Sequence, residues 1–374
     1  MSYWNEAKIK DFADVKGGKR LPKGKQLIKE PNSHPYIKIR DLGKTKYLEL
    51  TSDYEYVDDE TQQLISRYTV NEGDILISVV GTIGLIGIVG KTLDGANQTE
   101  NCDKIININD ILPEYLYYYL KSSLGQEEIK KGTVGAVQPK LPLKNVKDIL
   151  VLYPEIKEQE KIVSILSYID KKIETNEAIN NNLEQQAMAL YSHMFIEHRQ
   201  ESWSTGQLSD LISVKYGKDH KKLADGNYPV YGSGGIIRYV EKPLYTGESV
   251  LIPRKGTLNN VMYVNEAFWS VDTMFYTEML RPNIAKFVYH FVKSKDLASL
   301  NAGSAVPSMT TNILNAMQLY IPDEKTLEKF ENIVSSMYSA MQENTKESKI
   351  LASTRDTLLP KLMSGELDVS KIDL

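Results

Sequence analysis

The sequence predicts an α+β protein in which two α/β lobes are joined by two long helices that form an antiparallel coiled coil, with a pseudo-two-fold internal repeat. Two observations predict this fold. Residues 155–196 superimpose on residues 323–364 after a shift of 168, and both stretches have helical spacing of apolar residues. The segment before each stretch instead has short β-branched runs and glycine turns, which are typical of strands.

These patterns divide the chain into four parts. The first lobe comprises residues 1–154 and the first helical region comprises residues 155–202. The second lobe comprises residues 203–322 and the second helical region comprises residues 323–374. A chain of 374 residues is long enough for about two domains, which agrees with this division.

Each lobe shows the same order of strand and turn signals. The entry of the first lobe at 9–20 resembles the stretch at 208–219, and a strand–turn–strand follows at 72–89 and at 247–264. The turns carry Gly-Thr pairs at 81–82 and 256–257, which favour tight turns.

The second part of each lobe also repeats. A short helix is predicted to begin at Pro113 in the first lobe and at Pro282 in the second, because proline suits the first helical turn. The aromatic residues of this helix recur at helical spacing, which predicts that they lie in the core. A loop of small residues closes each lobe, at 132–139 and 301–308, and an apolar strand then ends at Pro154 or Pro322.

The two helical regions keep one heptad register, because 168 is a multiple of seven. In an antiparallel pair, residues whose numbers sum to 524 face each other, which places Asn180 opposite Asn344. Arg355 then faces Ile169, and its side chain is expected to reach Asp170. The alternative is that each helix packs only on its own lobe. The residues predicted to pair the helices are Ile162, Leu166, Ile169, Ile173, Asn176, Asn180, Leu183, Leu190, Met194, Phe330, Val334, Met337, Met341, Asn344, Leu351, Leu358 and Leu362.

Composition excludes several classes of protein. Hydrophobic residues make up 41% and charged residues 25%, and no apolar run approaches the length of a membrane span. Cys102 is the single cysteine, which excludes an internal disulfide and a thiolate zinc site. We therefore expect a cytoplasmic protein.

The charge is unevenly distributed along the chain. The net charge is −4, yet residues 1–46 contain 12 basic and 5 acidic side chains. The helical regions are acidic, with 5 basic against 9 acidic groups at 155–202 and 7 against 10 at 323–374. A local basic face attracts a polyanion, although a solvated surface explains the same charges.

Chemical motifs for catalysis are lacking. The chain has no GxxxxGK[ST] or HExxH motif, and its five histidines show no ligand spacing, so no metal site and no catalytic residues are expected. Lys, Arg, Gln, Ser and Thr on loops can instead contact bases and phosphates. The candidate DNA-binding residues are Lys19, Arg20, Lys23, Lys25, Lys38, Arg40, Thr82, Gln138, Lys140, Lys218, His220, Lys221, Lys222, Arg238, Arg254, Lys255, Thr257 and Ser308.

Several motifs in one order give the chain a family resemblance. They are GGKRLPKG at 17–24, PYIKIRDL at 35–42, GDILISVVGTIG at 73–84, PEIKEQEKIVSILSYIDKKIE at 154–174, YPVYGSGGIIRY at 228–239, AVPSMTTNIL at 305–314 and LLPKLMSGEL at 358–367. With the duplication, the chain resembles the specificity subunit of type I restriction-modification systems over essentially its full length.

The resemblance implies two target-recognition domains, each reading one half of a split DNA sequence in the major groove. It implies that the helices set the gap between the halves and dock two methyltransferase subunits. Those subunits carry the S-adenosylmethionine site, and restriction subunits that translocate DNA join for cleavage, so this chain needs no cofactor. One departure is the start of the second helical region, where DEKTLEKF at 323–330 replaces the Glu-Gln-Glu-Lys start seen at 158–161.

Two other functions remain open from the sequence. Gln138-Pro139-Lys140 resembles the Q-x-K end of a nuclease metal site, which would make the chain a restriction enzyme with its own nuclease activity. The paired lobes could also bind a macromolecule other than DNA.

Overall fold

The computed structural model describes residues 4–300, 308–369 and 372. The chain forms two compact units, and each long helix contributes to both. Unit 1 comprises Met1–Thr175 and Glu347–Leu374, and unit 2 comprises Asn176–Lys346. The predicted α+β class, with two lobes and two long antiparallel helices, is confirmed.

The elements of the first lobe alternate short strands with short helices. Its strands are β1 Asn5–Lys8, β2 Asp14–Gly17, β3 Pro35–Ile37, β4 Tyr47–Leu48, β5 Glu55–Tyr56, β6 Ile75–Ser78, β7 Ile86–Val89, β8 Asn97–Gln98, β9 Cys102–Ile106 and β10 Leu150–Tyr153. Its helices are α1 Ile9–Phe12, α2 Asp59–Ile65, α3 Pro113–Lys121, α4 Ser123–Gly132 and α5 Leu143–Lys147. The long helix α6, Ile156–Ser192, follows and ends in a π-helical turn at His193–Glu197.

The second lobe has longer strands and fewer helices. Its strands are β11 Ser204–Gln207, β12 Ile212–Tyr216, β13 Tyr228–Gly232, β14 Gly235–Val240, β15 Tyr245–Pro253, β16 Met262–Ser270, β17 Met274–Met279 and β18 Gln318–Ile321. Its helices are α7 Ala285–Lys293 and α8 Thr311–Asn315, and the long helix α9, Glu324–Met363, follows.

The strand pairing repeats between the two units. An antiparallel core has the order β2-β9-β6-β7 in unit 1 and β12-β17-β15-β16 in unit 2. In both units the lobe's first and last strands pair with each other, β1 with β10 and β11 with β18. A parallel pair also repeats, β3 with β8 and β13 with β16. The duplication inferred from the helices therefore extends through the lobes.

One predicted helix start is wrong. Pro113 does occupy the first turn of α3, as expected. Pro282 does not open α7, because Asn283 takes a left-handed conformation with φ of 59° and the helix begins only at Ala285. The aromatic residues of both helices lie in the core, as their spacing predicts.

The long helices pack against each other within each unit and also on the lobe. In unit 1, Ile162, Leu166 and Leu362 are buried in one cluster with the aromatic residues of α3. In unit 2, Tyr191, Phe330 and Val334 join the core beneath α7. The alternative in which each helix packs only on its own lobe is therefore wrong, although contact with the lobe is extensive. Among all the predicted helix-pairing residues, none is exposed.

Polar contacts fix the antiparallel direction in each unit. In unit 2, Asn344 Nδ2 donates to Asn180 Oδ1 at 2.9 Å, and Asn180 Nδ2 donates to the Met341 carbonyl at 3.2 Å. Asn176, buried at 1% exposure, donates to the Asn344 carbonyl at 3.4 Å. In unit 1, the expected contact of Arg355 with Asp170 is present at 2.8 Å.

Strand β9 carries a thiol and a carboxyl whose pKa values are raised by burial. Cys102 is fully buried, and its burial raises the pKa of the thiol to about 12. Asp103 is buried at 4% exposure, and burial raises the pKa of its carboxyl to about 6. Asp103 pairs across the sheet with Gly17, where a Cβ would lie 3.3 Å from Asp103 Oδ1.

Candidate nucleic-acid interface

The turn between β6 and β7 presents the first Gly-Thr pair to solvent. Gly81 and Gly84 adopt φ of 74° and 84°, which favours glycine. The buried Ser78 holds the turn closed, because its hydroxyl donates to the Thr82 carbonyl at 2.6 Å and accepts from the Leu85 amide at 2.8 Å. The Thr82 side chain stays exposed.

The closing loop of the first lobe forms a narrow hairpin beside this turn. Val134 and Lys140 exchange two backbone hydrogen bonds of 2.9 Å, and Lys140 also bridges to Val80. The tip between them exposes Gln138 and Val137, of which Val137 is 93% exposed. The turn and the closing loop therefore form one surface, and we call it contact surface 1 (residues 79–85 and 133–141).

Unit 2 builds the same junction from equivalent positions. Lys255 bridges to Ser308, and the Met309 amide donates to the Arg254 carbonyl at 2.9 Å. In unit 1 the corresponding bond runs from the Leu141 amide to the Val79 carbonyl, also at 2.9 Å. We call this junction contact surface 2 (residues 254–260 and 308–310). Residues 301–307 of the predicted closing loop lie outside the described residues.

The lysine of this bridge differs between the units. In contact surface 1 it stands on the closing loop, as Lys140, and the turn contributes Val80. In contact surface 2 it stands on the turn, as Lys255, and the closing loop contributes Ser308. Gly256 of that turn, with φ of 85°, packs on Ser233, whose carbonyl accepts from Asn260 Nδ2 at 2.7 Å. The shared backbone thus carries different side chains.

A cleft of about 440 Å³ adjoins contact surface 1. Arg20, Lys38 and Arg40 line it together with Thr99 and Asn101. The Asn101 carbonyl accepts from the Val79 amide at 2.8 Å, which ties the wall of the cleft to the turn.

The cations of the cleft are largely neutralised. Arg20 lies 2.8 Å from Glu100, and although burial opposes the effect, this hydrogen bond holds the pKa of Glu100 below its usual value. Lys38 and Arg40 share the Glu55 carboxylate. Burial, and after it the neighbouring Arg40, lowers the pKa of Lys38.

Residues 1–46 therefore present fewer unpaired cations in the folded chain than their sequence suggests. Carboxylates from beyond that segment pair with half of its cations, namely Lys8, Lys10, Arg20, Lys25, Lys38 and Arg40. Within the part of the chain that the structure describes, its exposed lysines without a carboxylate partner are Lys16, Lys19, Lys23, Lys29 and Lys44. Lys19 and Lys23 thus remain the free cations among the candidates of this segment.

In unit 2 the candidates fall into two groups. Lys218, Lys221 and Lys222 are exposed on the loop after β12, with His220 half-buried between them. Gly217 lets this loop pass close to the sheet, because a Cβ there would lie 2.0 Å from the Val271 carbonyl.

The second group comprises Arg238, which lies within β14, and the candidates on contact surface 2. Arg238 is held by Asp225 at 3.0 Å and by the Leu223 carbonyl at 2.8 Å. The Arg254 guanidinium lies 5.3 Å from the ring centre of Tyr216, while Lys255 and Thr257 are exposed. Assignment of individual residues to DNA contact stays a prediction.

Sequence reasoning missed the apolar part of contact surface 1 and one cluster outside it. Val80, Val134 and Val137 are exposed valines within a surface loop. The sequence signal for this exposed apolar surface was the valine of the closing loop that stands among glycines, glutamine and proline. His193, Glu197 and His198 bring ligand atoms within 4.8 Å of one another, contrary to the expectation that the histidines lack ligand spacing.

The comparisons with known proteins agree with this architecture. The model of the type I restriction modification DNA specificity domain matches residues 1–185 and 200–351. The chain therefore belongs to the family of type I restriction-modification specificity proteins. In the described part of the chain, no helix is both long and apolar enough to cross a membrane.

Individual relatives are distant but match over most of their length. The MjaIX specificity subunit of Methanocaldococcus jannaschii is 23% identical, with 99% of this chain and 94% of the relative covered. The HindI specificity subunit of Haemophilus influenzae is 21% identical, with 90% and 95% covered. The crystal structure of a type I S subunit from M. genitalium has the same fold, with a TM-score of 0.59, 20% identity and 96% of each chain covered.

Proposed function

We propose that this chain is the DNA-specificity subunit of a type I restriction-modification complex and that each unit reads one half of a split target. The repeated junction between turn and closing loop carries the proposal. It presents Lys140 in one unit and Lys255 in the other on the same backbone. An asymmetric, two-part target requires two binding surfaces of this kind, with an equivalent backbone and different side chains.

Contact surface 1 offers chemistry for both bases and phosphates. Lysine donates to guanine, glutamine pairs with adenine, and an exposed valine contacts the methyl group of thymine in the major groove. Lys140, Gln138 and Val137 are the proposed base-reading residues, while Thr82, Lys19 and Lys23 hold phosphates. Arg20, Lys38 and Arg40 shape the adjoining cleft and must release carboxylates before they can contact DNA.

Contact surface 2 takes the same role for the other half. Lys255 and Thr257 stand on the turn, and Arg254 stacks on Tyr216 behind them. Lys218, Lys221 and Lys222 supply positive charge from the neighbouring loop and follow the phosphate backbone. Ser308, which bridges to Lys255, completes this surface.

The catalytic steps belong to partner subunits in this proposal. Two methyltransferase subunits bind S-adenosylmethionine and methylate adenine, and restriction subunits translocate and cleave DNA. The exposed Tyr168 on α6 and Ile350 on α9, both in unit 1, are proposed docking residues for a methyltransferase subunit.

The departure at the start of α9 has a structural basis. In α6 the buried Gln159 accepts from the Leu112 amide at 2.9 Å and donates to the Pro154 carbonyl at 2.9 Å. The equivalent position in α9 is Leu327, which is buried in the apolar core of unit 2. Both residues face the lobe, so the change leaves the outer surfaces of the helices available to partners.

The nuclease alternative gains no support. Gln138 and Lys140 lie on an exposed hairpin rather than on a strand beside a carboxylate cluster. Among the described residues, the single group of metal-ligand type is the histidine cluster of unit 2.

The test is an exchange of the second lobe. Residues 203–322 are replaced by the lobe of another family member, and the methylated sequence is read by methylome sequencing of a strain that expresses the complete complex. One half of the target is expected to change while the other half and the gap stay the same. A change in both halves, or in neither, contradicts the proposal. Cleavage of DNA by the purified chain with Mg²⁺ alone would favour the nuclease alternative.

A further inference from the structure

A cluster of two histidines and one glutamate lies at the end of α6 in unit 2. His193, Glu197 and His198 are all exposed, and their ligand atoms lie within 4.8 Å of one another. The spacing of four and five residues does not align three ligands on a regular α-helix. The π-helical turn at His193–Glu197 brings them together.

The backbone of this turn fixes the two histidines. The His198 amide donates to the His193 carbonyl at 3.1 Å, five residues earlier, and the two rings lie 4.1 Å apart between centres. Phe195 anchors the turn in the core, 4.8 Å from the ring of Phe287 and 5.1 Å from that of Phe330. The ligands therefore stand on a supported backbone.

A second hydrogen bond selects the tautomer of His198. Its Nδ1 lies 3.0 Å from the His193 carbonyl. A carbonyl only accepts, so Nδ1 carries the hydrogen and Nε2 keeps its lone pair for a ligand. Metal-binding histidines are usually oriented by a hydrogen bond of this kind from the other ring nitrogen.

The distances suit a tetrahedral ion. His193 Nδ1 lies 3.5 Å from Glu197 Oε2. Zinc bonds to nitrogen and oxygen at ~2.0–2.2 Å, so two tetrahedral ligands stand ~3.4 Å apart. The exposed side chains of His193 and Glu197 can turn toward Nε2 of His198 and close the remaining separation, so that the hydrogen bond of His198 Nδ1 is retained. The nearby Arg199 is held over the Tyr320 ring, 4.0 Å from its centre, where it does not occupy the cluster.

We propose that His193, Glu197 and His198 bind one Zn²⁺ ion, with the fourth position open to water. Two imidazoles and one carboxylate favour zinc and neighbouring transition metals over Mg²⁺ or Ca²⁺. The ion would clamp the last turn of α6 to the segment that enters the second lobe. This site is independent of the contact surfaces and of the proposed function.

The test measures metal binding to the full chain. Protein freed of metal with EDTA is titrated with Zn²⁺ by calorimetry and with Co²⁺ by visible absorption. We expect one equivalent per chain, tetrahedral Co²⁺ bands, and affinity at least tenfold weaker in H198A and in E197Q. Zn²⁺ should also raise the Tm of the wild type but not that of H198A, since only a bound ion stabilises the folded state.

A matched control is available in unit 1. His34 lies 3.0 Å from Asp59, and in the described part of the chain no third residue of ligand type completes this histidine–carboxylate pair. H34A should bind Zn²⁺ as the wild type does. The proposal is overturned if the wild type takes up no stoichiometric Zn²⁺, or if H198A and E197Q, both folded by circular dichroism, bind it as tightly as H34A.

Discussion

Lys140 is a candidate DNA-binding residue whose charged side chain the fold leaves available. It is exposed at the base of a hairpin, bridges to the neighbouring turn and has no carboxylate partner among the residues that the structure describes. Arg20 and Arg40 have stronger hydrogen-bonding potential, but each is already paired. A ranking of the candidates by freedom from carboxylate partners therefore differs from a ranking by hydrogen-bonding capacity.

Substitution of Lys140 by alanine tests this ranking. Loss of a base contact costs ~1–3 kcal/mol, whereas loss of a phosphate contact lowers the salt dependence of binding by about one unit of slope. We expect K140A to weaken binding of the assembled complex to its methylome-derived target, measured by fluorescence anisotropy at several salt concentrations. The control is K346A, because Lys346 pairs with Glu343 on α9. Equal binding by K140A and K346A would exclude Lys140 from the interface.

Asp103 gives a prediction of pH dependence. Its Oδ2 is buried and has no hydrogen-bond partner among the described residues, and burial raises the carboxyl pKa from 3.8 to about 6. The folded state therefore binds a proton that the unfolded state has released, and stability falls as pH rises from about 4 to about 6. A shift of this size corresponds to ~2–3 kcal/mol.

Thermal unfolding of the wild type and D103N at pH 4.5, 6.0 and 7.5 measures the effect. The Tm of D103N should rise relative to the wild type as pH increases, because asparagine removes the ionisation. A difference in Tm that stays constant across this range would show that Asp103 is not protonated in the fold.

The residues of the candidate interface could be predicted only in part. Loop position and residue type made Lys140 and Lys255 candidates, because the repeat placed a turn and a closing loop in each lobe. The pairing of Lys38 with Glu55 and of Arg20 with Glu100 could not be foreseen, because those carboxylates come from distant parts of the sequence. Strand pairing determines which charges meet.

At the scale of elements, the long helices were the most predictable feature. Their heptads are local patterns, and a polar layer at Asn180 and Asn344 follows from antiparallel pairing alone. The helix start predicted at Pro282 was wrong because Asn283, which follows it, is in a left-handed conformation. The helix therefore begins only after this turn. The π-helical turn was missed because it breaks the periodicity that sequence analysis relies on.

The asparagine layer makes a prediction about helix pairing. N344L removes the donor to Oδ1 of the half-buried Asn180, and a polar atom left unpaired between the helices costs ~1–3 kcal/mol. The Tm should fall in N344L and recover in the double variant N180L/N344L, because two leucines restore an apolar layer. If N344L has the wild-type Tm, the hydrogen bond between the two side chains contributes nothing to stability.

At the scale of the whole molecule, the long helices and the strand order repeat, whereas the surfaces of the two lobes differ. Each long helix contributes to both compact units, with the division at 175/176 in α6 and at 346/347 in α9. The lobes keep their strand order while loop lengths and surface charges differ. This organisation predicts that the gap in the target and the bases of its halves can be changed separately.

Insertion of one heptad after Thr175 and one after Lys346 tests the separation. Seven helical residues add ~10 Å, or about three base pairs. Methylome sequencing should show a longer gap between unchanged half-sequences. Insertion into only one helix is the control, and it should abolish methylation by breaking the register. Altered half-sequences with an unchanged gap would contradict this division of roles.

The burial of Cys102 makes the chain suited to site-specific labelling. This is the single cysteine of the sequence, and its thiol, with a pKa raised to about 12, is shielded from maleimide reagents. One cysteine introduced at an exposed position in each unit would then accept a fluorophore pair without removal of the native residue. Energy transfer between the two dyes would follow the distance between the units as DNA and partner subunits bind.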